Sequence, residues 1–409
     1  MKFENYPISP AIKKSLAESG FRKPTDIQFK AIPSILNGED VMAIAQTGTG
    51  KTAAFVIPVL HLIQSIPDDV ENPIKCLVMV PTRELAIQIT AVFQELGKYT
   101  NVRTVCVYGG VDQQKQVDEL KKGADVLVST PGRMFDLIYQ RHIKITKVQI
   151  LILDEADHML DLGFNKDIHD VKKFLPKKHQ TLFFSATINT KIKDLAYVLV
   201  KNPIRIQISP KDPVSKNIDH TVAFIGMDDK RFFLERFIKD KAESKILVFV
   251  RTKVRAERVV KAMERVGIES LSMHGGKEQE DRLGVMQQFK SGKIKVLVTT
   301  DVNARGIHIP SVDYVVNYDL PDVAENYVHR VGRTGRGVQK GFAISFCSPE
   351  EEEMLESIQA FLGKEIRELE ITRSEYEETL DLTDNTGSDW RKLMKNSEGE
   401  EDKKKKKKK

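Results

Sequence analysis

Apolar runs of four to seven residues alternate with helix-length amphipathic stretches along most of the chain. Strands covered by helices on both faces read as continuous apolar runs, so this rhythm predicts parallel sheets in an α/β fold. In the first half the strand candidates are Val41–Ala45, Cys76–Val80, Val102–Tyr108, Val126–Ser129, Ile150–Leu153 and Thr181–Phe184. A second series comprises Ile246–Val250, Ser270–Met273, Val296–Thr299, Tyr314–Asn317 and Phe342–Phe346. Between the two series, the proline-interrupted polar stretch from Ile208 to Ser215 predicts a linker. The pattern divides the chain into a domain at 1–207, a linker at 208–216, a second domain at 217–370 and a mostly disordered tail at 371–409. Past Asp381 the tail is polar and charged, with Trp390 as its one aromatic, and it ends in a lysine run.

Two of the first-half strands run into chemistry. After Val41–Ala45 comes Ala45-Gln46-Thr47-Gly48-Thr49-Gly50-Lys51-Thr52, which fits a phosphate loop if Ala45 stands at the opening glycine position. A helix-like stretch from Ala53 to Ile63 follows. Glycines let such a backbone wrap phosphates, N–H groups at the helix start point at them, and Lys51 adds a positive charge. Thr52 offers a hydroxyl to Mg²⁺. Pro58 lies inside that helix, where a missing N–H predicts a bend or a short first segment. The strand Ile150–Leu153 ends in Asp154-Glu155-Ala156-Asp157. Carboxylates at that sheet mouth suit a magnesium shell, with Asp154 as the metal-side residue and Glu155 positioning an attacking water. Together the two motifs predict a nucleoside triphosphatase holding one nucleotide in its first domain.

Composition changes this picture in three places. The net charge of +6 suggests a basic body, but Lys403–Lys409 supplies seven positive charges; six less seven leaves −1 for the rest. A nucleic-acid surface must therefore come from local placement of charge. Cys76, Cys106 and Cys347 are widely separated in apolar runs and read as reduced core residues of a cytoplasmic protein. No apolar run approaches a membrane span, and the N-terminus carries no secretory signal.

The second domain contributes His329-Arg330-Val331-Gly332-Arg333-Thr334-Gly335-Arg336. An arginine-bearing loop in one domain and a nucleotide site in the other is the layout of an arginine finger supplied across a cleft. In motif order and spacing, residues 1 to about 365 resemble the bacterial-type DEAD-box ATP-dependent RNA helicases of superfamily 2. The resemblance implies two tandem RecA-like domains, each a parallel sheet flanked by helices. Gly20 to Gln28, with Phe3 upstream, is similar to the adenine-reading Q motif: Gln28 would pair with adenine, Phe21 would stack on it, and Lys23 lies beside it. Ala45 to Ala53 then hold the phosphates, and Lys51, Asp154, Glu155, His329, Arg333 and Arg336 are the catalytic set. RNA backbone contacts are implied for Pro81, Thr82, Arg83, Gly109, Gly110, Thr130, Pro131, Gly132 and Arg133. In the second domain they are implied for Thr252, His274, Gly275, Arg282 and Thr299. Ser185-Ala186-Thr187 resembles the link between the acidic motif and the RNA face.

One segment departs from the family. Asn303 stands where a small residue is usual, and His308 where an aspartate usually contacts the ATP ribose. A neutral histidine can still accept a ribose hydroxyl through one ring nitrogen. The resemblance implies an RNA-dependent ATPase, with ATP and Mg²⁺, that bends and locally unwinds short RNA duplexes or remodels RNA–protein complexes. Its expected partners are RNA, through sequence-independent backbone contacts, and ribosomal or ribonucleoprotein particles; it is expected to be monomeric. An ATP-gated RNA clamp with little unwinding and a DNA helicase are the alternatives.

Overall fold

The computed structural model describes residues 2–45, 48–66, 74–187, 190–208, 214–301, 312–335 and 340–384. The first domain is built on β1 (Val41–Ala45), β2 (Cys76–Met79), β3 (Thr104–Val107), β4 (Val126–Ser129), β5 (Ile150–Leu153), β6 (Gln180–Ser185) and β7 (Ile204–Ile208). They pair in the order β3-β4-β2-β5-β6-β1-β7, and every pairing is parallel. The second contains β8 (Ile218–Phe224), β9 (Ile246–Phe249), β10 (Ser270–Met273), β11 (Val296–Thr299), β12 (Tyr314–Asn317), β13 (Gly341–Cys347) and β14 (Arg367–Glu368). Here the order is β10-β11-β9-β12-β13-β8-β14, again all parallel.

Alternate side chains along each strand enter opposite cores, as the two-residue period requires. Val41, Ala43 and Ala45 join one cluster with Val78, Ile152 and Phe184. Met42 and Ile44 join the other with Met79, Leu153 and Phe183. The second sheet repeats this, with Leu247 and Phe249 on one side and Ile246 and Val248 on the other. Each such large aliphatic side chain contributes roughly 1.5–3 kcal/mol over an exposed one. Both faces are covered, leaving the carboxyl ends of the strands as the place where loops can carry chemistry.

Four sequence expectations need correction. The helix Lys51–Gln64 runs unbroken through Pro58, whose ring is buried among Phe55, Val56, Ile57 and Val59; apolar burial outweighs one lost hydrogen bond. Ile208 is not linker but the last residue of β7, opposite Ala45. Val214 likewise lies outside the linker role, because it is buried in the second core. The tail assigned from 371 begins later: Arg373–Asp384 is a helix docked on the helix Lys230–Asp240. Tyr376 fixes it, donating to Asp229 Oδ2 at 2.8 Å and accepting from Gly226 N at 3.0 Å, with its ring 4.8 Å from that of Phe233. Trp390 and the lysine run lie outside the described residues.

Candidate active site and nucleic-acid interface

The nucleotide site is assembled where β1 and β5 end. Gly50 caps the helix Lys51–Gln64 with φ +91°, and a Cβ there would sit 2.5 Å from Gln28 Nε2. Only glycine meets both constraints. Gln28, itself 2% exposed, donates to the Gly50 carbonyl at 3.1 Å and accepts from Thr25 N at 2.9 Å in a capping box. The proposed adenine reader is thus tied to the phosphate loop. Phe21 is half-buried with its ring 5.9 Å edge-on to Phe3, and Lys23 is exposed beside it. Lys51 is buried, and its ammonium donates to the Ala45 carbonyl at 2.7 Å, across the span of Gln46 and Thr47. Gln46, Thr47, His308 and Arg336 lie outside the described residues. Gly48, Thr49, Thr52 and Ala53 follow in the loop and the first helical turn.

Asp154 is 3% exposed at the end of β5. Burial pushes its carboxyl up to about 7, with Lys51 opposing that shift. A desolvated carboxylate at a hydroxyl-bearing helix start is a hard-oxygen donor set, the kind magnesium takes, and a dication would favour its ionised form. Among the described residues no cluster of three or more His, Cys, Asp or Glu forms a ready metal cage.

Glu155 adopts a left-handed conformation, φ 51° and ψ 49°, at roughly 1–2 kcal/mol for a residue with a side chain. Its N–H donates to Asp154 Oδ1 at 3.0 Å. Burial raises its carboxyl, but the 3.3 Å contact with His158 Nδ1 and the charges of His158, Lys51 and Arg333 override that and hold it at about 2. It is a carboxylate at any ordinary pH. His158 escaped the sequence reading; its only signal was a position three after Glu155 on a helix. Asp157 Oδ2 accepts from Ala186 N, Thr187 N and Thr187 Oγ1 at 3.1, 2.9 and 3.1 Å. The acidic motif and Ser185-Ala186-Thr187 are therefore one hydrogen-bonded unit.

From the second domain, Arg333 is 4% exposed, its Nε donates to the His329 carbonyl at 3.2 Å, and its charge acts on Glu155. His329 is buried in the helix Ala324–Val331. The helix is held by Arg330, also missed from the sequence. Arg330 is 1% exposed, grips Asp301 with two bonds at 2.6 and 2.8 Å, and donates to the Asp319 carbonyl at 2.7 Å.

The expected RNA contacts lie largely at the carboxyl ends of the strands. Thr82 and Thr130 precede helix starts, with Pro81 and Pro131 buried beside them. Arg83 packs over Gly110, where a Cβ would collide with its guanidinium, and Gly109 is open. Arg133 Nη2 donates to the Val111 carbonyl at 3.1 Å, next to Gly132. Thr252 is exposed at the start of the helix Lys253–Arg265. His274 is held by Glu257 at 2.7 Å, with Gly275 exposed after it. Two residues depart from expectation. Thr299 is fully buried and its hydroxyl donates to the Met273 carbonyl at 3.0 Å, so it does not present a side chain to RNA. Arg282 is engaged across the domains, 2.5 Å from Glu84 Oε1.

A phosphate loop, paired strand-end acids and a cation from a second domain define a two-domain nucleoside triphosphatase of RecA-like build. Residues 25–195 match the DEAD/DEAH box helicase family, and residues 229–338 match the helicase conserved C-terminal domain. Over 369 residues the chain is 40% identical to DEAD-box ATP-dependent RNA helicase RhpA of Helicobacter pylori, covering 90% of this chain and 74% of that protein. It is also 40% identical to ATP-dependent RNA helicase RhlB of a Shewanella strain, over 89% of this chain and 84% of that one. The solved structure of Saccharomyces cerevisiae Dbp5 bound to RNA and ADP BeF3 superposes with a TM-score of 0.83 at 32% identity, covering 94% of this chain and 99% of that one. The chain belongs to the DEAD-box ATP-dependent RNA helicases.

Proposed function

We propose that this chain hydrolyses ATP to ADP and phosphate only when RNA draws its two domains together, and that closure bends one RNA strand and expels its partner locally. The arrangement that carries this reading is Arg333, buried in the turn after the helix Ala324–Val331 of the second domain, within electrostatic reach of Glu155, which follows β5 in the first. Phe21 and Gln28 take the adenine, with Lys23 alongside. The loop from Ala45 to Ala53 takes the phosphates, and Lys51 leaves the Ala45 carbonyl to reach them. Thr52 and Asp154 supply oxygens to magnesium, which would neutralise phosphate charge when bound. Glu155, ionised and oriented by His158, aligns the water. Arg333 and Arg336 stabilise the charge that develops on the γ-phosphate, a role worth roughly 10³–10⁵ in rate.

The RNA set on both domains consists of hydroxyls, helix starts and arginines that address phosphate without reading sequence. Separating a base-pair step forfeits on the order of 1.4 kcal/mol of stacking in DNA, so bending one strand offsets only a few steps and short duplexes are the fitting substrates. Remodelling of ribonucleoprotein by a monomer in the cytoplasm is the setting this chemistry suits. The test is RNA-stimulated ATPase of the full chain against a fragment of residues 1–207. Stimulation by RNA but not by matched DNA, absent in the fragment, is expected; full stimulation of the fragment would refute the reading.

A further inference from the structure

A second basic surface lies on the outer flank of the second domain, away from Arg333. A half-open cavity of about 410 Å³ sits between the helices Lys230–Asp240 and Lys253–Arg265. Arg231, Arg255, Arg258, Lys261 and Arg265 line it against a single carboxylate, Asp228; Met227, Val259 and Tyr318 add an apolar wall. For a chain whose body is close to neutral, that is a strong local concentration of positive charge. Arg255 is already committed, at 2.9 Å to Asp319 Oδ1. Arg231, Arg258, Lys261 and Arg265 form no ion pair with any described residue, and the last three are exposed.

The spacing gives this charge a direction. Residues 255, 258, 261 and 265 recur at three- and four-residue intervals, so they stand in one row about 5–6 Å apart along the helix face. Their ten-residue span rises about 15 Å at 1.5 Å per residue. The helix begins immediately after Thr252, an exposed residue of the RNA face, whose hydroxyl accepts from Arg255 N at 3.2 Å. A strand leaving that face therefore meets a continuous row of cations. Structural roles do not account for the row: its three outer members form no ion pair or side-chain hydrogen bond with any described residue.

We propose that this row is a second RNA tract, which takes the phosphates of the single strand flanking the segment in the interdomain cleft. Arg258, Lys261 and Arg265 contact successive phosphates along the rim of the cavity. Such a tract holds RNA without reading sequence, in the manner of basic grooves that follow a single strand. It would keep one product strand attached after the cleft releases its partner. The inference rests on the RNA-helicase reading above.

The test compares the full chain with the triple variant Arg258→Ala, Lys261→Ala, Arg265→Ala. All three positions are exposed and lie outside the nucleotide site, so folding and maximal ATPase should persist. Three single strands are titrated: one just long enough to stimulate maximal ATPase, and the same strand extended at one end or at the other. In the native chain one extension should tighten binding. In the variant that gain should vanish, with the salt slope of the extended strand falling by up to about 2 units from three single-strand contacts. The corresponding loss at 0.1 M salt is on the order of ten- to a hundredfold, while the short strand is bound unchanged. If neither extension helps the native chain, or the variant keeps the gain and the slope, the tract is refuted and an acidic protein surface becomes the better occupant. Equal loss on short and extended strands also refutes it, since that marks a diffuse field. Failure of the short strand to stimulate the native chain would instead refute the helicase reading itself.

Discussion

At the scale of single residues, burial and neighbouring charge set the two acids of the site apart, pushing Asp154 up to about 7 and holding Glu155 down. Glu155 shows this best: burial opposes its charge, yet His158, Lys51 and Arg333 hold its carboxyl at about 2. In the proposed mechanism it orients water as a permanent anion. Glu155→Gln keeps the shape and removes the charge. It should retain ATP and RNA but slow single-turnover hydrolysis by on the order of 10²–10⁴, leaving a long-lived RNA complex detectable by filter binding. Arg333→Ala should leave ATP affinity within a few-fold and cut RNA-stimulated turnover at least about a hundredfold, the conservative side of what a finger contributes. The identities of Lys51, Asp154, Glu155 and Arg333 were legible in the sequence because each belongs to a motif with a chemical reason. Their partners were not. The Ala45 carbonyl on Lys51, His158 on Glu155 and the left-handed backbone at Glu155 depend on contacts that no spacing rule encodes.

Helices and strands show the same division between pattern and contact. Central strands were readable from composition because they are buried on both faces; β5 is Ile-Leu-Ile-Leu. β7, with four of its five residues exposed or partly exposed, and β8, which mixes Asp219 and His220 with apolar residues, carry no such signature. The helix Arg373–Asp384 was hidden for a related reason: its charge reads as solvated chain, and it is tied down by Tyr376, Thr379 and the Glu375 carbonyl. Tyr376→Phe removes the hydroxyl and leaves the Gly226 N–H without its acceptor. We expect about 1–2 kcal/mol lost from the second domain's unfolding transition in denaturant, and nothing from the first domain's. A larger effect belongs to Arg330, whose guanidinium braces the finger-bearing helix against Asp301 and the Asp319 carbonyl. Removing one partner of a buried ion pair costs about 3–5 kcal/mol, so Arg330→Ala should destabilise that domain by this amount and cut turnover even at temperatures where it stays folded. Circular dichroism melts beside ATPase assays separate the two effects.

Across the whole molecule, the two domains meet through an ion pair as well as through the approach of Arg333 to the acidic motif. Arg282 of the second domain and Glu84 of the first form a pair with both side chains largely buried, next to a cavity of about 820 Å³ rimmed by Glu278, Glu280 and Asp281. With the body at a net of −1, the seven terminal lysines are the largest concentration of positive charge along the chain. They can recruit RNA only nonspecifically, since nothing in a lysine run fixes register. Seven contacts to a single strand at about 0.7 each would add at most about 5 units to the salt slope. Deleting Lys403–Lys409 should therefore raise the RNA concentration giving half-maximal ATPase and flatten its dependence on salt. The maximal rate should stay where it is, because the nucleotide site and Arg333 are untouched. This distinguishes the tail from the row on the helix Lys253–Arg265. Tail deletion should weaken short and extended strands alike, whereas loss of the row should weaken only the extended one. A truncated chain whose half-saturation and salt dependence match the native values would show that the lysines act only as a solubilising end.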